Sequence, residues 1–536
     1  MDELSVDTLR TLRRLGLEAD RLIEGCLRDR LSLAALMGRF LPALEGWVGA
    51  KGALVTTRNE HLVEETYTFG EWSALGGSDL HAEQERRALV VGSGTSMWMA
   101  LRVAGAEVGR LAVLLAGDRR AEEAGITMLL DTVCAELDVV LSGVHTAAQK
   151  QRLTVEVEEL LTDAVFDRGV DRAVQAIHRE IGLVDFSLVY RDEVERGRYH
   201  YRTFHGGELR HASTVPRMRH DALDLALAAR GDDLFDPDSR VLRDVLRLPD
   251  GIEVVLSTGM TNARRLGKVV CCAGTVGFSA FALDVVQLMG EAMSQRLVDF
   301  NRERRHLAQF FAPPVIAELL NDPDYHDRYL TPREDTVAVL YADINSFTKL
   351  SEQVLEQPAA IAAFVDRWST GAVDAIWDHG GVFDKMVGDC VIGLFGPPFF
   401  RDTPAERAHA ALEAAARIAR FTMDMERDPP YQAIAQSGVV PGLGVAIGLN
   451  LCPMAVGIMG PNQDYTGFSS GMNAAARLQS LAGFRQAYGM ESLCEAVRGA
   501  DDDFVRSIRF GEVRETPVKN VKLPLRYREI VFPNPT

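Results

Sequence analysis

Two aspartates, each next to an apolar run, could together bind a divalent metal ion. The segment TVAVLYADINSFTKLSE (336–352) predicts a strand that ends at Asp343 and leads into a polar turn and a helix. In GGVFDKMVGDCVIGLFGPP (380–398), Asp389 lies between two short apolar runs, which predicts a β-hairpin with Gly388 and Asp389 at its tip. Side by side, these strands would bring two carboxylates to one sheet edge, a donor set that suits Mg²⁺ or Mn²⁺. Each aspartate alone is equally typical of a turn, so the prediction depends on the pair.

A third segment adds an amide and a guanidinium. QDYTGFSSGMNAAARLQSLA (463–482) predicts a turn followed by a helix. Asn473 and Arg477 are four residues apart, so they lie on one face of that helix.

Together, these three segments resemble the catalytic domain of class III nucleotide cyclases, over about residues 333–531. The family shows an apolar strand into ADI-x-x-F-T-x-L-S-E, a K-x-x-G-D hairpin, and D-Y-T before a helix with V-N-x-A-A-R-L. All three motifs occur here in that order, from Asp343 to Leu478. The resemblance implies a ferredoxin-like α+β domain that acts as a head-to-tail homodimer, with its active sites at the interface.

The resemblance also implies roles for individual residues. Asp343 and Asp389 match the two metal-binding aspartates, and Ile344 would offer its backbone carbonyl to one of two Mg²⁺ or Mn²⁺ ions per active site. Asn473 matches the residue that orients the ribose. Arg477 matches the cation that stabilises charge on the α-phosphate.

Three further residues are expected to contact the substrate. Phe347 and Thr348 stand in the F-T positions of the first motif. Lys519, in VKNVKLP, lies where the family has a Lys-Gly turn and would bind the β- and γ-phosphates, although a simple surface lysine is an equally good interpretation.

Two positions are expected to select the base. Lys385 and Thr466 occupy the specificity positions; a lysine donates to adenine N1, and a threonine hydroxyl accepts from the N6 amine. Guanine would place its N1–H donor against the lysine, which costs about 1–3 kcal/mol. The predicted reaction is therefore conversion of ATP to 3′,5′-cyclic AMP and pyrophosphate. A guanylate cyclase and a catalytically inactive nucleotide-binding or dimerisation module are the alternatives.

Two sequence features bear on these alternatives. Ser469 and Ser470 stand where the family usually has Gly-Asp, which predicts an altered loop without loss of chemistry. GGVFD (380–384) superficially resembles the signature of diguanylate cyclases, but Val382 and Phe383 occupy its acidic positions and could not bind a metal.

The N-terminal half contains a loose repeat. A helix and a strand around 34–58 recur around 172–191, and VGRLAVLLAG (108–117) corresponds to LGKVVCCAG (266–274). This order resembles two tandem GAF domains, the small-molecule sensor modules of signalling proteins, over about residues 20–295. Two unrelated α+β domains are the alternative. The predicted fold is α/β (α+β), with antiparallel sheets in the GAF-like domains. The sequence predicts four segments, which are GAF-like domain 1 with an N-terminal helix (1–148), GAF-like domain 2 (149–296), a helical linker (297–332) and the cyclase domain (333–536).

Each predicted closing helix carries a narrow apolar seam. Such spacing favours pairing with a second copy of the chain, and an amphipathic helix packed on its own domain is the alternative. The seam residues are Leu130, Val133, Leu137, Val140 and Val144 in the first helix, and Val286, Gly290, Met293, Leu297, Phe300, Arg304, Leu307 and Phe311 in the second. The second helix is expected to end before Pro313-Pro314.

Composition narrows the class of protein. A net charge of −18 over 536 residues argues against a general nucleic-acid or polybasic membrane binder. Seven scattered cysteines are typical of reduced thiols, so we expect a cytoplasmic protein. Residues 429–463 carry no charged residue, but their glycines and prolines predict buried strands and turns instead of a membrane span. Four histidines between His200 and His220 favour a solvated hairpin and loop, and metal or haem binding is the alternative. An unidentified small-molecule ligand of the GAF-like domains is expected.

Overall fold

Three β-sheets follow one another along the chain in a mixed α/β fold. The computed structural model describes residues 6–59, 61, 63–74, 88–91, 94–103, 106–258, 264–273, 277–398, 403–499, 502–517 and 524–533. The first two sheets have five strands each and are antiparallel, and the third has nine strands with one parallel pair.

The first sheet has the strand order β2-β1-β5-β4-β3. Its strands are β1 (Ala50–Arg58), β2 (Glu64–Gly70), β3 (Ala88–Val91), β4 (Gly94–Val103) and β5 (Ala106–Ala116), and its helices are α1 (Val6–Arg28), α2 (Leu33–Val48) and α3 (Glu123–Leu161). Helix α2 begins at Ser32, whose hydroxyl accepts a hydrogen bond from the Ala35 amide, and ends at Gly49 with a φ of 72°. Helices α2 and α3 bury their apolar faces against the sheet, and α1 packs on α3 and α2.

The second sheet has the strand order β8-β7-β6-β10-β9. Its strands are β6 (Asp185–Arg191), β7 (Tyr199–His205), β8 (Glu208–Ala212), β9 (Ile252–Ser257) and β10 (Arg265–Cys272), and its helices are α4 (Phe166–Ile181), α5 (Asp221–Arg230), α6 (Val241–Leu246) and α7 (Ala280–Leu307). In both sheets the first strand pairs with the second and with the last, and the last pairs with the strand before it.

The repeated glycines have the same steric reason in both sheets. A Cβ on Gly109 in β5 would lie 2.3 Å from the carbonyl oxygen of Thr56, and a Cβ on Gly267 in β10 would lie 2.3 Å from that of Val189. Each glycine therefore permits the last strand to lie close against the first. The sequence repeat corresponds to two sheets that share their central pairing and differ in where the outer strand is added.

The seam residues of the closing helices pack inside their own chain. Leu130 and Leu137 of α3 are fully buried in the first core, and Met293 and Leu297 of α7 are fully buried in the second. The structure thus favours the alternative of amphipathic helices packed on their own domains, because the seam spacing describes apolar faces that β-strands already cover.

Helix α3 belongs to both N-terminal cores. Its residues up to Leu141 pack in the first core, and those from Leu153 to Leu161 pack in the second. The predicted boundary between 148 and 149 lies within this 39-residue helix.

Helix α7 ends at Leu307, and the next helix, α8, begins at Pro313, which confirms the predicted break. Near that end, Arg304 is 7% exposed and donates to the fully buried carboxylate of Asp192 at 2.7 Å. His200 contacts the same carboxylate at 2.8 Å. Burial alone would raise the pKa of Asp192, but the His200 hydrogen bond and the Arg304 charge outweigh burial and hold this pKa below its usual range.

We expect Arg304→Leu to lower the thermal unfolding midpoint of the chain by about 5 °C or more, since removing one partner of a buried ion pair costs about 3 kcal/mol. The measurement is a thermal melt followed by circular dichroism. Arg302→Leu is the matched control, because Arg302 lies on the same helix with a side chain that is 74% exposed. Equal shifts in the two variants would contradict the assignment of a stabilising role to the Arg304–Asp192 pair.

The third sheet has the main strand order β12-β13-β11-β14-β16-β19-β17, with β15 paired to β14 and β18 to β19. Its strands are β11 (Arg333–Ile344), β12 (Val382–Val387), β13 (Cys390–Phe395), β14 (Val445–Met459), β15 (Asp464–Phe468), β16 (Ala487–Met490), β17 (Arg509–Phe510), β18 (Arg514–Thr516) and β19 (Leu525–Val531). Its helices are α8 (Pro313–Leu319), α9 (Phe347–Leu350), α10 (Pro358–Asp378), α11 (Pro404–Asp424), α12 (Gln432–Gln436), α13 (Ser470–Leu481), α14 (Glu491–Ala496) and α15 (Asp503–Ser507).

Strands β11 to β14 and helices α10 and α11 follow a βαββαβ order, the chain order of a ferredoxin-like domain. Helix α11 lies close against the sheet because its buried face is mostly alanine, including Ala408, Ala411 and Ala415. The uncharged segment 429–463 contains the buried strand β14, which confirms its prediction as strand and turn. Among the described helices, none is both long and apolar enough to cross a membrane.

Candidate active site

Asp343 and Asp389 meet at one edge of the third sheet. Asp343 is the penultimate residue of β11 and lies opposite Cys390, the first residue of β13. Asp389 is in the turn between β12 and β13, after Gly388 with a φ of 64°, so the predicted hairpin is confirmed. The two carboxyl groups are close enough for the charge of Asp389 to affect the ionisation of Asp343.

This pair is electrostatically unfavourable without a cation. Burial and the charge of Asp389 raise the pKa of Asp343 to about 6, and burial also raises the pKa of Asp389. Within the described ranges, neither carboxylate forms an ion pair with Lys, Arg or His. A divalent cation would remove the repulsion between them.

The donor atoms fit Mg²⁺ or Mn²⁺. The two carboxylates and the Ile344 backbone carbonyl are all hard oxygen donors. The Ile344 side chain is 2% exposed, so packing fixes the backbone beside Asp343. Gln479 donates to Asp343 Oδ2 at 3.0 Å and orients that carboxylate. Among the residues that the structure describes, no group of three or more His, Cys, Asp or Glu side chains could hold a metal ion. The described side chains at this edge therefore supply two carboxylates only.

Helix α13 directs Asn473 and Arg477 away from this pair. Gln479, which contacts Asp343, lies two residues after Arg477 and therefore about 200° around the helix from it. Asn473 is exposed and Arg477 partly exposed, and neither side chain has a hydrogen-bond partner among the described residues. Both polar groups are therefore available to bind a substrate or a second chain.

The loop before α13 explains the departure at Ser469 and Ser470. The Ser469 hydroxyl accepts from the Gly471 amide at 3.1 Å and donates to the Pro453 carbonyl at 2.6 Å. Ser469 thus caps the helix and ties its start to β14. Gly448 completes the fit, since a Cβ there would lie 2.1 Å from the Ala475 carbonyl oxygen.

Lys385 and Thr466 meet at a third residue, Asp384. Thr466 Oγ1 donates to Asp384 Oδ1 at 2.5 Å, and Lys385 Nζ lies 3.7 Å from the same oxygen. The register of β12 shifts between Phe383 and Lys385, so Asp384 is the extra residue of a bulge. One buried carboxylate therefore accepts a hydrogen bond from Thr466 and lies near the ammonium of Lys385, the two residues expected to select the base.

The remaining predicted substrate residues are less informative. Phe347 in α9 packs partly buried against the core of the third sheet, and Thr348 is exposed. Lys519 lies outside the described residues.

Sequence reasoning missed Asp384 and Gln479. Asp384 alternates with Val382 in VFDKMV and so shares its inward face, a signal that could have identified a buried carboxylate beside Lys385. Gln479 gave no such signal, because its contact with Asp343 depends on how α13 lies across β11.

The histidines between His200 and His220 lie in and after the β7–β8 hairpin. His205 contacts Asp185 at 2.7 Å, and His211 contacts Thr203 at 2.9 Å. The rings of His211 and His220 are 4.7 Å apart. The described residues around them supply individual polar partners and no grouped metal donors.

Comparison with known proteins supports a cyclase domain in this region. Residues 330–498 match the family model for the adenylate and guanylate cyclase catalytic domain. This range contains Asp343, Asp389, Lys385, Thr466 and α13.

Curated relatives cover part of the chain. The uncharacterized protein Rv1320c of Mycobacterium tuberculosis is 29% identical over 252 residues, which are 44% of this chain and 40% of that protein. The uncharacterized protein Mb1353c of Mycobacterium bovis is 29% identical over 208 residues, 37% of this chain and 35% of that protein. The chain therefore spans well under half the length of these relatives.

Two solved structures are also similar. The adenylyl cyclase CyaB from P. aeruginosa has 23% identity and a TM-score of 0.33, covering 38% of this chain and 98% of that one. The guanylyl cyclase Cya2 has 21% identity and a TM-score of 0.32, covering 38% and 95%.

Proposed function

We propose that this chain is an adenylate cyclase that converts ATP to 3′,5′-cyclic AMP and pyrophosphate. The observation that carries the proposal is the meeting of Asp343 and Asp389 at one sheet edge, inside the region that matches the cyclase family model. When bound, two Mg²⁺ or Mn²⁺ ions supply polarisation of the ribose 3′-hydroxyl and charge neutralisation at the triphosphate. Asp343, Asp389 and the Ile344 carbonyl would hold them.

The other residues act on the substrate directly. Asn473 orients the ribose so that its 3′-oxygen faces the α-phosphorus. A new bond from that oxygen to the α-phosphorus forms as the bond from the α-phosphorus to the bridging oxygen breaks. Pyrophosphate leaves with that bond's electron pair, and the 3′-hydroxyl proton passes to water or to the pyrophosphate. Arg477 stabilises the charge that develops on the α-phosphate. Phe347, Thr348 and Lys519 complete the proposed substrate contacts.

A homodimer is part of this proposal. Gln479 occupies the face of α13 towards Asp343, and Arg477 and Asn473 lie about 160° and about 120° around the helix from it, which favours their use at the site of another chain. A second copy in a head-to-tail arrangement would supply them to the metal site of the first.

The proposal is tested by incubating the intact purified chain with ATP or GTP and either Mg²⁺ or Mn²⁺. We expect cyclic AMP and pyrophosphate in equal amounts, with little cyclic GMP. Cyclic GMP as the main product would indicate a guanylate cyclase instead. No cyclic product with either metal would indicate a nucleotide-binding or dimerisation module.

Base selection has its own prediction. Lys385→Glu combined with Thr466→Cys is expected to lower the ratio of kcat/KM for ATP to that for GTP by at least about tenfold, because a glutamate can accept from the N1–H and N2 amine of guanine and a thiol can donate to its O6. The ratio is measured from initial rates with each nucleotide. Lys349→Glu is the control, since Lys349 is an exposed lysine on α9. An unchanged ratio in the double variant would refute the assignment of Lys385 and Thr466.

The N-terminal half is proposed to be regulatory. We assign residues 1–148 and 149–296 as GAF-like domains, 297–332 as the helical linker and 333–536 as the cyclase domain. The two sheets with shared central pairing support a repeated sensor module. Native mass spectrometry of the purified chain would identify a co-purifying small molecule. The seven unpaired cysteines support a cytoplasmic location, and the net charge of −18 argues against a general nucleic-acid partner.

A further inference from the structure

Asp384 is a buried carboxylate with one oxygen unsatisfied in the part of the chain that the structure describes. Its side chain is fully buried, and Oδ2 has no hydrogen-bond partner among the described residues. Burying a charge with an unsatisfied oxygen lowers stability, and an apolar residue at this position would avoid that cost. Such local violations of folding rules are expected at functional sites.

The partners of Asp384 are the two residues proposed to select the base. Its Oδ1 accepts the hydroxyl hydrogen of Thr466 at 2.5 Å and lies 3.7 Å from Lys385 Nζ. Burial raises the pKa of Asp384 overall, and the Thr466 hydrogen bond and the Lys385 charge offset only part of that rise. The neighbouring ammonium thus favours the ionised carboxylate, which can only accept hydrogen bonds.

A threonine hydroxyl has one hydrogen to donate and two lone pairs that accept. If the hydrogen is held by Asp384, only the lone pairs remain for a ligand. Adenine presents an amine donor at its 6-position, whereas guanine and hypoxanthine present an oxygen acceptor there. An acceptor-only hydroxyl can therefore bond to adenine and not to a 6-oxopurine.

We infer that Asp384 is a positioning residue for base selection: by taking the Thr466 hydrogen, it makes that hydroxyl an obligate acceptor and so favours the 6-aminopurine of ATP. This inference rests on the proposed cyclase function and extends it to a residue that does not itself contact the base.

The test is a double-mutant cycle in the 536-residue chain, with ATP and inosine triphosphate as substrates. Asn at 384 can donate to Thr466 and free its hydrogen, so Asp384→Asn is expected to lower the ATP-to-ITP ratio of kcat/KM about tenfold. In a Thr466→Val background, which lacks the hydroxyl, the same substitution is expected to change the ratio less than about twofold. Lys385 is unchanged throughout, so its contribution cancels.

Asp464→Asn is the matched control. Asp464 lies on the same strand as Thr466 and adds negative charge near Asp384 without being bonded to Thr466. We expect its ATP-to-ITP ratio to equal that of the unmodified chain. A fall equal to that of Asp384→Asn would mean that charge in general, and not the held hydrogen, sets the ratio, which would overturn the inference.

The remaining outcomes are separable. No cyclic product from the unmodified chain overturns the proposed function and this inference with it. An ATP-selective chain whose ratio is unchanged by Asp384→Asn, or changed equally in both backgrounds, overturns this inference alone.

If Asp384→Asn fails to fold, Thr466→Val decides. A loss of about tenfold for ATP with no loss for ITP supports an acceptor-only hydroxyl, and equal losses overturn it.

Discussion

Asp343→Ala and Asp389→Ala are each expected to lower cyclic AMP formation by about a thousandfold or more. Each variant removes one of the two carboxylates that meet at the end of β11, and metal stabilisation of the transition state contributes several kcal/mol. The measurement is initial velocity at saturating Mn²⁺. Turnover within tenfold of the unmodified chain in either variant would refute the two-aspartate metal site.

Controls separate this loss from unfolding. Asp366→Ala removes an exposed carboxylate from α10 in the same domain and is expected to leave activity unchanged. Without metal, the Asp343 and Asp389 variants should melt at the same temperature as the unmodified chain or higher, because the carboxylate repulsion that raises the pKa of Asp343 is gone. The thermal shift on adding Mn²⁺ should disappear in both variants and remain in Asp366→Ala.

Co-expression of Asp343→Ala with Asn473→Ala is expected to restore about one quarter of the unmodified activity, although each variant alone is nearly inactive. In a mixed head-to-tail dimer both lesions fall in one active site, and the other site is intact. Random pairing makes about half of the dimers mixed, each with one working site. Two affinity tags allow mixed dimers to be purified and assayed.

Asp343→Ala with Asp389→Ala is the matched negative control. Both lesions then affect the metal aspartates, so each site of the mixed dimer lacks one ligand and no activity should return. Purified mixed dimers of Asp343→Ala with Asn473→Ala that remain inactive would mean that each site is built within one chain.

Local patterns predicted part of this site, and tertiary contacts determined the rest. Asp343 and Asp389 could be predicted from the sequence because strand ends and hairpin tips have short-range signals. Asp384 and Gln479 act through contacts across 82 and 136 residues, which no local pattern contains. The apolar seams of α3 and α7 were predicted to pair with a second copy of the chain, but they pack in the cores of their own domains, because periodicity does not say which surface covers an apolar face.

Helix α3 connects the two N-terminal domains without a flexible linker. This unbroken helix of 39 residues is about 58 Å long. Each of its halves packs in a different apolar core. A tilt imposed at Leu137 must therefore reappear at Val157, since no loop lies between them to absorb it. The N-terminal half would then pass on one combined displacement instead of two separate ones. Cleavage of the chain anywhere from 142 to 152 would divide a helix that both domains share. Neither fragment would then behave as its domain does in the whole chain.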